Sequence, residues 1–240
     1  MKVKTCLVTG ATGAIGGAIA KSLANNGYQL ILHGNKNMDG LHDLIGKLPE
    51  HSVLATIQAD LSTEKGIESF LKQLHFSIDA FVHSSGRPLY GLFQEIEKRE
   101  MDEMLTLHVK APWLISQHVI KDMVKNQSGK IILVSSIWGD VGASFEVIYS
   151  SVKGAQNSFV KALARETARS GIQVNAVSPG YIDTAMNDHL SSEEREILIN
   201  EIPAGKPGKP EEVANLVSFL LSNQASYING QVIGINGAWY

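Results

Sequence analysis

The chain is short of several things, and each shortage removes a class of protein. It carries one cysteine, Cys6, in 240 residues, so no intrachain disulfide can form and a disulfide-stapled scaffold is excluded. Cys6 sits inside the first apolar run, TCLVT, where a small core residue is expected rather than a nucleophile. No run approaches the roughly 18 apolar residues of a membrane span, and MKVKTCLVTG is too short in apolar residues for a signal peptide. A cytoplasmic protein without a membrane partner is expected. Positive charge is not in excess: 21 Lys and Arg against 24 Asp and Glu leave a formal net charge of -3, which argues against a nucleic-acid partner. With only 7 prolines and no Pro- or Ser-rich tract there is no linker, so residues 1–240 are expected to form one domain.

What is present is an alternation. Short runs rich in β-branched residues (TCLVTG, YQLILHG, VLATIQAD, IDAFVHSSG, KIILVSSI, IQVNAVSPG, GQVIGING) read as buried strands, and the longer amphipathic segments between them read as helices. That order predicts an α/β Rossmann fold, a doubly wound parallel sheet of about seven strands with helices on both faces and ligands at the strands' carboxyl ends. The one break is residues 181–210, a polar helix between Gly- and Pro-rich flanks, expected to act as a substrate lid.

Gly10, Gly13 and Gly16 follow the first strand at three-residue spacing and precede a helix over 17–25. Glycines there let the backbone approach a pyrophosphate, and the helix N-terminus offers free N–H groups to its charge. An NAD site would place a carboxylate at the end of the second strand. His33, Asn35 and Lys36 stand there instead, and the first acid afterwards is Asp39, so NADP(H) is favoured, with Lys36 pairing with a 2′-phosphate.

YSSVK, residues 149–153, sets Tyr149 and Lys153 one helical turn apart, and Ser136 ends a strand thirteen residues earlier. In their order and spacing, TGATGAIG, Asp60-Leu61, the SSI…Y-x-x-x-K group, NAVSPG and the late NG resemble the short-chain dehydrogenase/reductase family over essentially all 240 residues. The resemblance implies that Tyr149 is the acid/base, Lys153 its electrostatic partner and a ribose ligand, and Ser136 the donor to the carbonyl. A nearby ammonium, together with the oxidised nicotinamide, favours a phenolate, so a lowered Tyr149 pKa is expected. It further implies cofactor contacts from Gly10, Thr12, Gly13, Ile15 and Gly16 at the pyrophosphate and from Asn35, Lys36, Asp60 and Leu61 on the adenosine side. Ser85 and Gly86 would lie behind the ribose, with Pro179, Gly180, Ile182 and Thr184 around the nicotinamide.

Three departures stand out. Ala14 replaces the family's middle glycine, and Gly13 stands where many NADP enzymes carry an arginine. HSSG, from His83 to Gly86, replaces NNAG. His108 replaces the asparagine that completes the family's proton relay, and is a candidate for that role. Eight histidines, at 33, 42, 51, 75, 83, 108, 118 and 189, show no metal-ligand spacing, so no metal site is expected.

The body of the chain resembles the 3-oxoacyl-[acyl-carrier-protein] reductases. SSIWG, EVIYSSVKGAQNSFVKALA, LHV and SSGRPLYG resemble a narrower branch that reduces a 5-aminopentanone adduct on a lysine of elongation factor P. Either way the ketone rides on a protein. A mouth for acyl carrier protein is expected to be ringed with Arg or Lys; Lys121, Lys125, Lys130 and Arg169 fit that ring and fit ordinary solvated helix faces equally. A binding module that senses dinucleotide without turnover is the alternative of another class. A homo-oligomer, dimer or tetramer, is expected because the helices predicted over 101–126 and 149–170 are apolar on more than one face. Trp113, Leu114, Phe159, Leu163 and the two aromatics of the C-terminal NGAWY are the candidate contacts.

Overall fold

The computed structural model describes residues 3–187 and 190–240. Its strands are β1 (Thr5–Thr9), β2 (Gln29–Gly34), β3 (Val53–Gln58), β4 (Ala80–His83), β5 (Gly129–Val134), β6 (Ile172–Pro179) and β7 (Val232–Ile235). The helices between them are α1 (Ala14–Asn25), α2 (Met38–Ile45), α3 (Glu64–Gln73), α4 (Lys98–Leu105), α5 (Ala111–Asn126), α6 (Trp138–Val141), α7 (Val147–Thr167), α8 (Ser192–Glu201) and α9 (Pro210–Leu221). The strands form one seven-stranded sheet in the order β3-β2-β1-β4-β5-β6-β7, and every pairing is parallel.

Successive side chains on a strand point to opposite faces, and the sequence fills both with apolar groups. Cys6, Val8, Leu30 and Leu32 pack on one side with Ile19 of α1, Leu41 of α2 and Val213 and Val217 of α9. Leu7, Ile31, Phe81 and Ile131 pack on the other with Phe70 of α3, Ile115 of α5 and Val160 of α7. Cys6 is fully buried, and burial pushes its thiol pKa far up, as suits a core residue. Among the described residues no helix is long and apolar enough to cross a membrane.

Local signals fix the helix starts. Thr63 accepts the Gly66 N–H to cap α3, Ser191 and Glu194 form a capping box on α8, and Pro210 opens α9 at a position whose N–H has no helical partner. The helix predicted over 17–25 begins three residues earlier, at Ala14. The helix predicted over 101–126 is two helices joined by a five-residue π-turn, Thr106–Lys110. The apolar periodicity runs through both, which is why it hides the break. Strand order reverses between β1 and β4, the place where an open α/β sheet leaves a crevice.

Candidate active site

A cavity of about 1040 Å³ opens at the carboxyl ends of the strands around that reversal. Each of the site residues predicted from sequence lines it except His108.

At the nucleotide end the backbone does the shaping. Gly10 has φ +70, and a Cβ there would lie 2.8 Å from the Ser84 carbonyl oxygen and the Ser85 backbone. A Cβ on Gly16 would lie 2.1 Å from the Gly10 carbonyl oxygen, so only glycine lets α1 approach β1 this closely. Gly13 is different: it is the N-cap of α1, in extended conformation, with no side chain capping the helix. The first turn holds no acidic residue, so its N–H groups and positive dipole face the cavity uncancelled. His33 is buried. Its Nδ1 accepts the Gly10 N–H at 3.2 Å, which fixes the proton on Nε2, and Nε2 donates to the Ala59 carbonyl at 3.0 Å. It struts the glycine turn against the end of β3. Asn35 and Lys36 lie beside Asp60, whose pKa is lowered chiefly by hydrogen bonds from Ser62, with Lys36 and Asn35 adding to the shift against the cost of burial.

The reacting end is built from buried side chains. Ser136 follows β5, and its Oγ accepts the Trp138 N–H at 3.2 Å, leaving the hydroxyl proton free to donate. It hydrogen-bonds Tyr149, which enters from the first turn of α7. One turn on, Lys153 is buried to 4% exposure. Its Nζ donates to the Val134 carbonyl at 2.8 Å and to Gln156 Oε1 at 3.4 Å, and lies 5.5 Å from the centre of the Tyr149 ring. Burial lowers its pKa to about 7. Ser135 Oγ donates to Asn157 Oδ1 at 2.6 Å, and Asn157 Nδ2 donates to Asp140 at 2.9 Å, which locks α6 onto α7 behind the trio.

Residues 10–238 match the family model described as enoyl-(acyl carrier protein) reductase. The chain belongs to the short-chain dehydrogenase/reductase family. It is 46% identical over 239 residues to an uncharacterized oxidoreductase, YmfI, of Bacillus subtilis, covering 99% of each chain. It is 36% identical over 234 residues to the 3-oxoacyl-[acyl-carrier-protein] reductase FabG of Rickettsia felis, covering 98% of this chain and 95% of that one. A crystal structure from Beutenbergia cavernae, provisionally assigned as an NAD(P)-dependent gluconate 5-dehydrogenase and holding NADP at low occupancy, superposes with a TM-score of 0.93. It is 30% identical over 98% of this chain and 96% of its own.

This short-chain dehydrogenase/reductase departs from the sequence expectations in four places. The lowered Tyr149 pKa expected beside the ammonium and the oxidised nicotinamide is not present in the protein alone, where it is raised well above the ordinary phenol value. Burial is the largest cause and Glu146 and Tyr90 add to it, while Ser136 opposes them. The Lys153 Nζ donates to the Val134 carbonyl and, at 5.5 Å from the ring centre, is not among the causes of the shift. His108 is fully buried on the π-turn with its ring edge-on to Tyr149, centroids 5.7 Å apart. Its Nε2 lies 3.1 Å from the Arg87 carbonyl and 3.3 Å from the Arg87 N–H, and its Nδ1 has no partner among the described residues. No hydrogen bond runs from the ring to Tyr149 or Lys153, and burial holds its pKa well below the histidine value. The basic residues proposed for the mouth lie at the far end of the sheet. Lys130 begins β5 and donates to the Leu220 and Ser222 carbonyls, Arg169 precedes β6, and Lys121 and Lys125 are in the turns of α5 that lead into β5. Trp239 packs on Trp138, centroids 5.3 Å apart, and lines the cavity, so of the two C-terminal aromatics only Tyr240 is exposed.

Sequence reasoning missed Glu146, Tyr90, Arg87, Arg99 and Glu103, all of which line the cavity. The two arginines are both held by Glu103, at 3.0 and 3.8 Å. Glu146 lies three residues before Tyr149, the helical spacing that could have revealed it; it has no ion-pair partner among the described residues, and burial raises its pKa to about 7. Among those residues no cluster of three His, Cys, Asp or Glu could hold a metal; His189 lies outside them.

Proposed function

We propose that the protein is an NADPH-dependent ketone reductase acting on a 3-oxoacyl thioester carried by acyl carrier protein. The observation that carries the reading is the meeting of Ser136, Tyr149 and Lys153 on one wall of a cavity whose other wall is the uncapped N-terminus of α1. Its residues suit a dinucleotide. The open Gly13 N-cap and free N–H groups fit the pyrophosphate, and Asn35 and Lys36, with no acid at the end of β2, accept a 2′-phosphate. NADP in the Beutenbergia structure and the names of the FabG relatives support the same cofactor and substrate class.

When bound, the nicotinamide supplies a hydride to the carbonyl carbon. Ser136, held by the Trp138 N–H, donates its hydroxyl proton to the carbonyl oxygen and orients it. Tyr149 gives its proton to that oxygen as negative charge builds; a raised phenol pKa keeps the proton in place until then. Lys153 as ammonium stabilises the phenolate left behind. The His108 ring, engaged by Arg87, is outside this path and serves as packing beneath Tyr149.

The segment 181–210 is read as a lid. Tyr181 and Asp183 exchange backbone hydrogen bonds with Gly208 at its base, α8 buries none of its residues, and Leu190 and Leu198 face the cavity. The stacked and partly exposed Trp113 and Phe159, on α5 and α7, are read as a contact between subunits of a homo-oligomer.

A second substrate, the 5-aminopentanone adduct on a lysine of elongation factor P, is favoured by two observations. Glu146 lines the cavity without an ion-pair partner among the described residues, an acidic group suited to a cationic amine, and the basic residues named for an acidic carrier lie at the other end of the sheet. Following NADPH absorbance with a 3-oxoacyl thioester and with unfinished elongation factor P tests both. Turnover on the thioester is expected; faster turnover on the factor transfers the assignment, and NADPH binding without consumption on either leaves a dinucleotide-sensing module.

A further inference from the structure

Lys153 presents an unusual problem for a buried cation: no carboxylate pairs with it among the described residues. The titratable groups near it are Tyr149 on its own helix, His108 on the π-turn and His83 at the end of β4, with Glu146 beyond Tyr149. Both histidines are held neutral by burial, His83 with a pKa lowered to about 3. What the ammonium does have is two oxygens, Val134 O and Gln156 Oε1.

Gln156 is 1% exposed, one turn after Lys153 on α7. Its Nε2 donates at 2.7 Å to the main-chain carbonyl of His108, in the π-turn. Chemistry fixes this orientation. A carbonyl can only accept and an ammonium can only donate, so the amide nitrogen must face His108 and the amide oxygen must face Lys153. The π-turn matters because it releases carbonyls from the regular helical ladder and makes one available to a side chain. Position 108 therefore connects to the active site through its backbone, while its ring turns toward Arg87.

We propose that Gln156 is a positioning residue for the reaction: it bridges the His108 carbonyl to the Lys153 Nζ and sustains the ammonium form of Lys153 that the proton donor Tyr149 requires. An amide neither gains nor loses a proton near neutral pH, so Gln156 braces the ammonium and does not relay its proton. The inference rests on the roles of Tyr149 and Lys153 given above.

The test is the pH dependence of kcat/KM for ketone reduction by the full-length protein, in wild type and three variants. Gln156→Met keeps length and volume but removes both hydrogen bonds. The alkaline limb, where activity is lost with the ammonium, is expected to move down by about one pH unit, so that kcat/KM above the limb falls about tenfold. Gln156→Asn, one methylene too short to reach both partners, carries the same expectation and serves if Gln156→Met does not fold. Gln156→Glu keeps an oxygen toward Lys153 in either protonation state and is expected to hold the limb at or above its wild-type position. A limb that stays in place in Gln156→Met and Gln156→Asn, or one that falls equally in Gln156→Glu, overturns the proposal even where thermal stability drops. Failure of the underlying reading looks different: Tyr149→Phe would then turn over near the wild-type rate.

Discussion

The two ends of the cavity are made in opposite ways. At the nucleotide end the working parts are absences: no Cβ at Gly10 and Gly16, no side-chain cap on α1, no acid at the end of β2. At the reacting end they are buried polar side chains held in place by other buried polar side chains, Ser136 by the Trp138 N–H and Lys153 by Val134 and Gln156. A ligand end built from backbone recognises charge through fixed dipoles, so trimming one nearby side chain weakens binding without abolishing it. A reacting end built from desolvated side chains depends on each atom, because nothing else in a dry site can take its place.

The sharpest way to break that comparison is Tyr149→Phe. Only the hydroxyl is removed, the ring still packs on His108, and NADPH binding should persist. Turnover should fall by about 10²-fold to 10⁴-fold, the scale of general acid catalysis, as read by stopped NADPH consumption. Binding lost together with turnover would mean that the two ends are not separable.

Acid titration sharpens the comparison next, since buried histidines stand at both ends: His33 at the nucleotide end, His83 and His108 at the other. Burial lowers His33 to about 4, from an ordinary value of 6.5, and His83 to about 3. The unfolded chain then binds more protons than the folded one between those limits, so stability is full above pH 6.5 and is lost as pH falls toward the folded values. Each histidine contributes up to about 1.4 kcal/mol per pH unit in that window. Denaturant midpoints should drop steeply from pH 6.5 to 5, and a flat profile would mean that the folded histidines accept protons.

Lys36→Ala is the mildest of the three. The nucleotide end owes most of its grip to backbone, so the variant should lose about 1.5 to 3 kcal/mol of affinity for NADPH, one charge-assisted contact, and little for NADH. Titration with both cofactors checks it, and equal losses would make Lys36 a bystander to Asp60.

The fold was legible because buried strands and amphipathic helices announce themselves one residue at a time: the alternation that puts Cys6 and Val8 on one face and Leu7 on the other is already in TCLVT. The trio was legible because a strand end and one helical turn set its spacing. What sequence could not show is anything decided by direction across elements. His108 aligns with a relay position, yet whether its ring or its carbonyl faces Lys153 depends on a π-turn that leaves the apolar periodicity intact. Lys121, Lys125, Lys130 and Arg169 are basic residues whose end of the sheet the sequence does not show: the last turns of α5, the start of β5 and the turn after α7 put them opposite the cavity. Tyr149 beside Lys153 suggested a phenolate; burial, which needs three dimensions, decided the sign.

The packing of Gly86 against His108 has a consequence for descent. A methyl group at 86 would come within 2.7 Å of His108 Cε1, and that ring cannot retreat because Tyr149 closes the space beside it. Position 86 is not free to gain a side chain while His108 keeps its place. A lineage passing between this arrangement and one with a larger residue at 86 meets the smaller steric cost when residue 108 shrinks or re-aims first, because the reverse order passes through an overpacked core that costs about 1–3 kcal/mol.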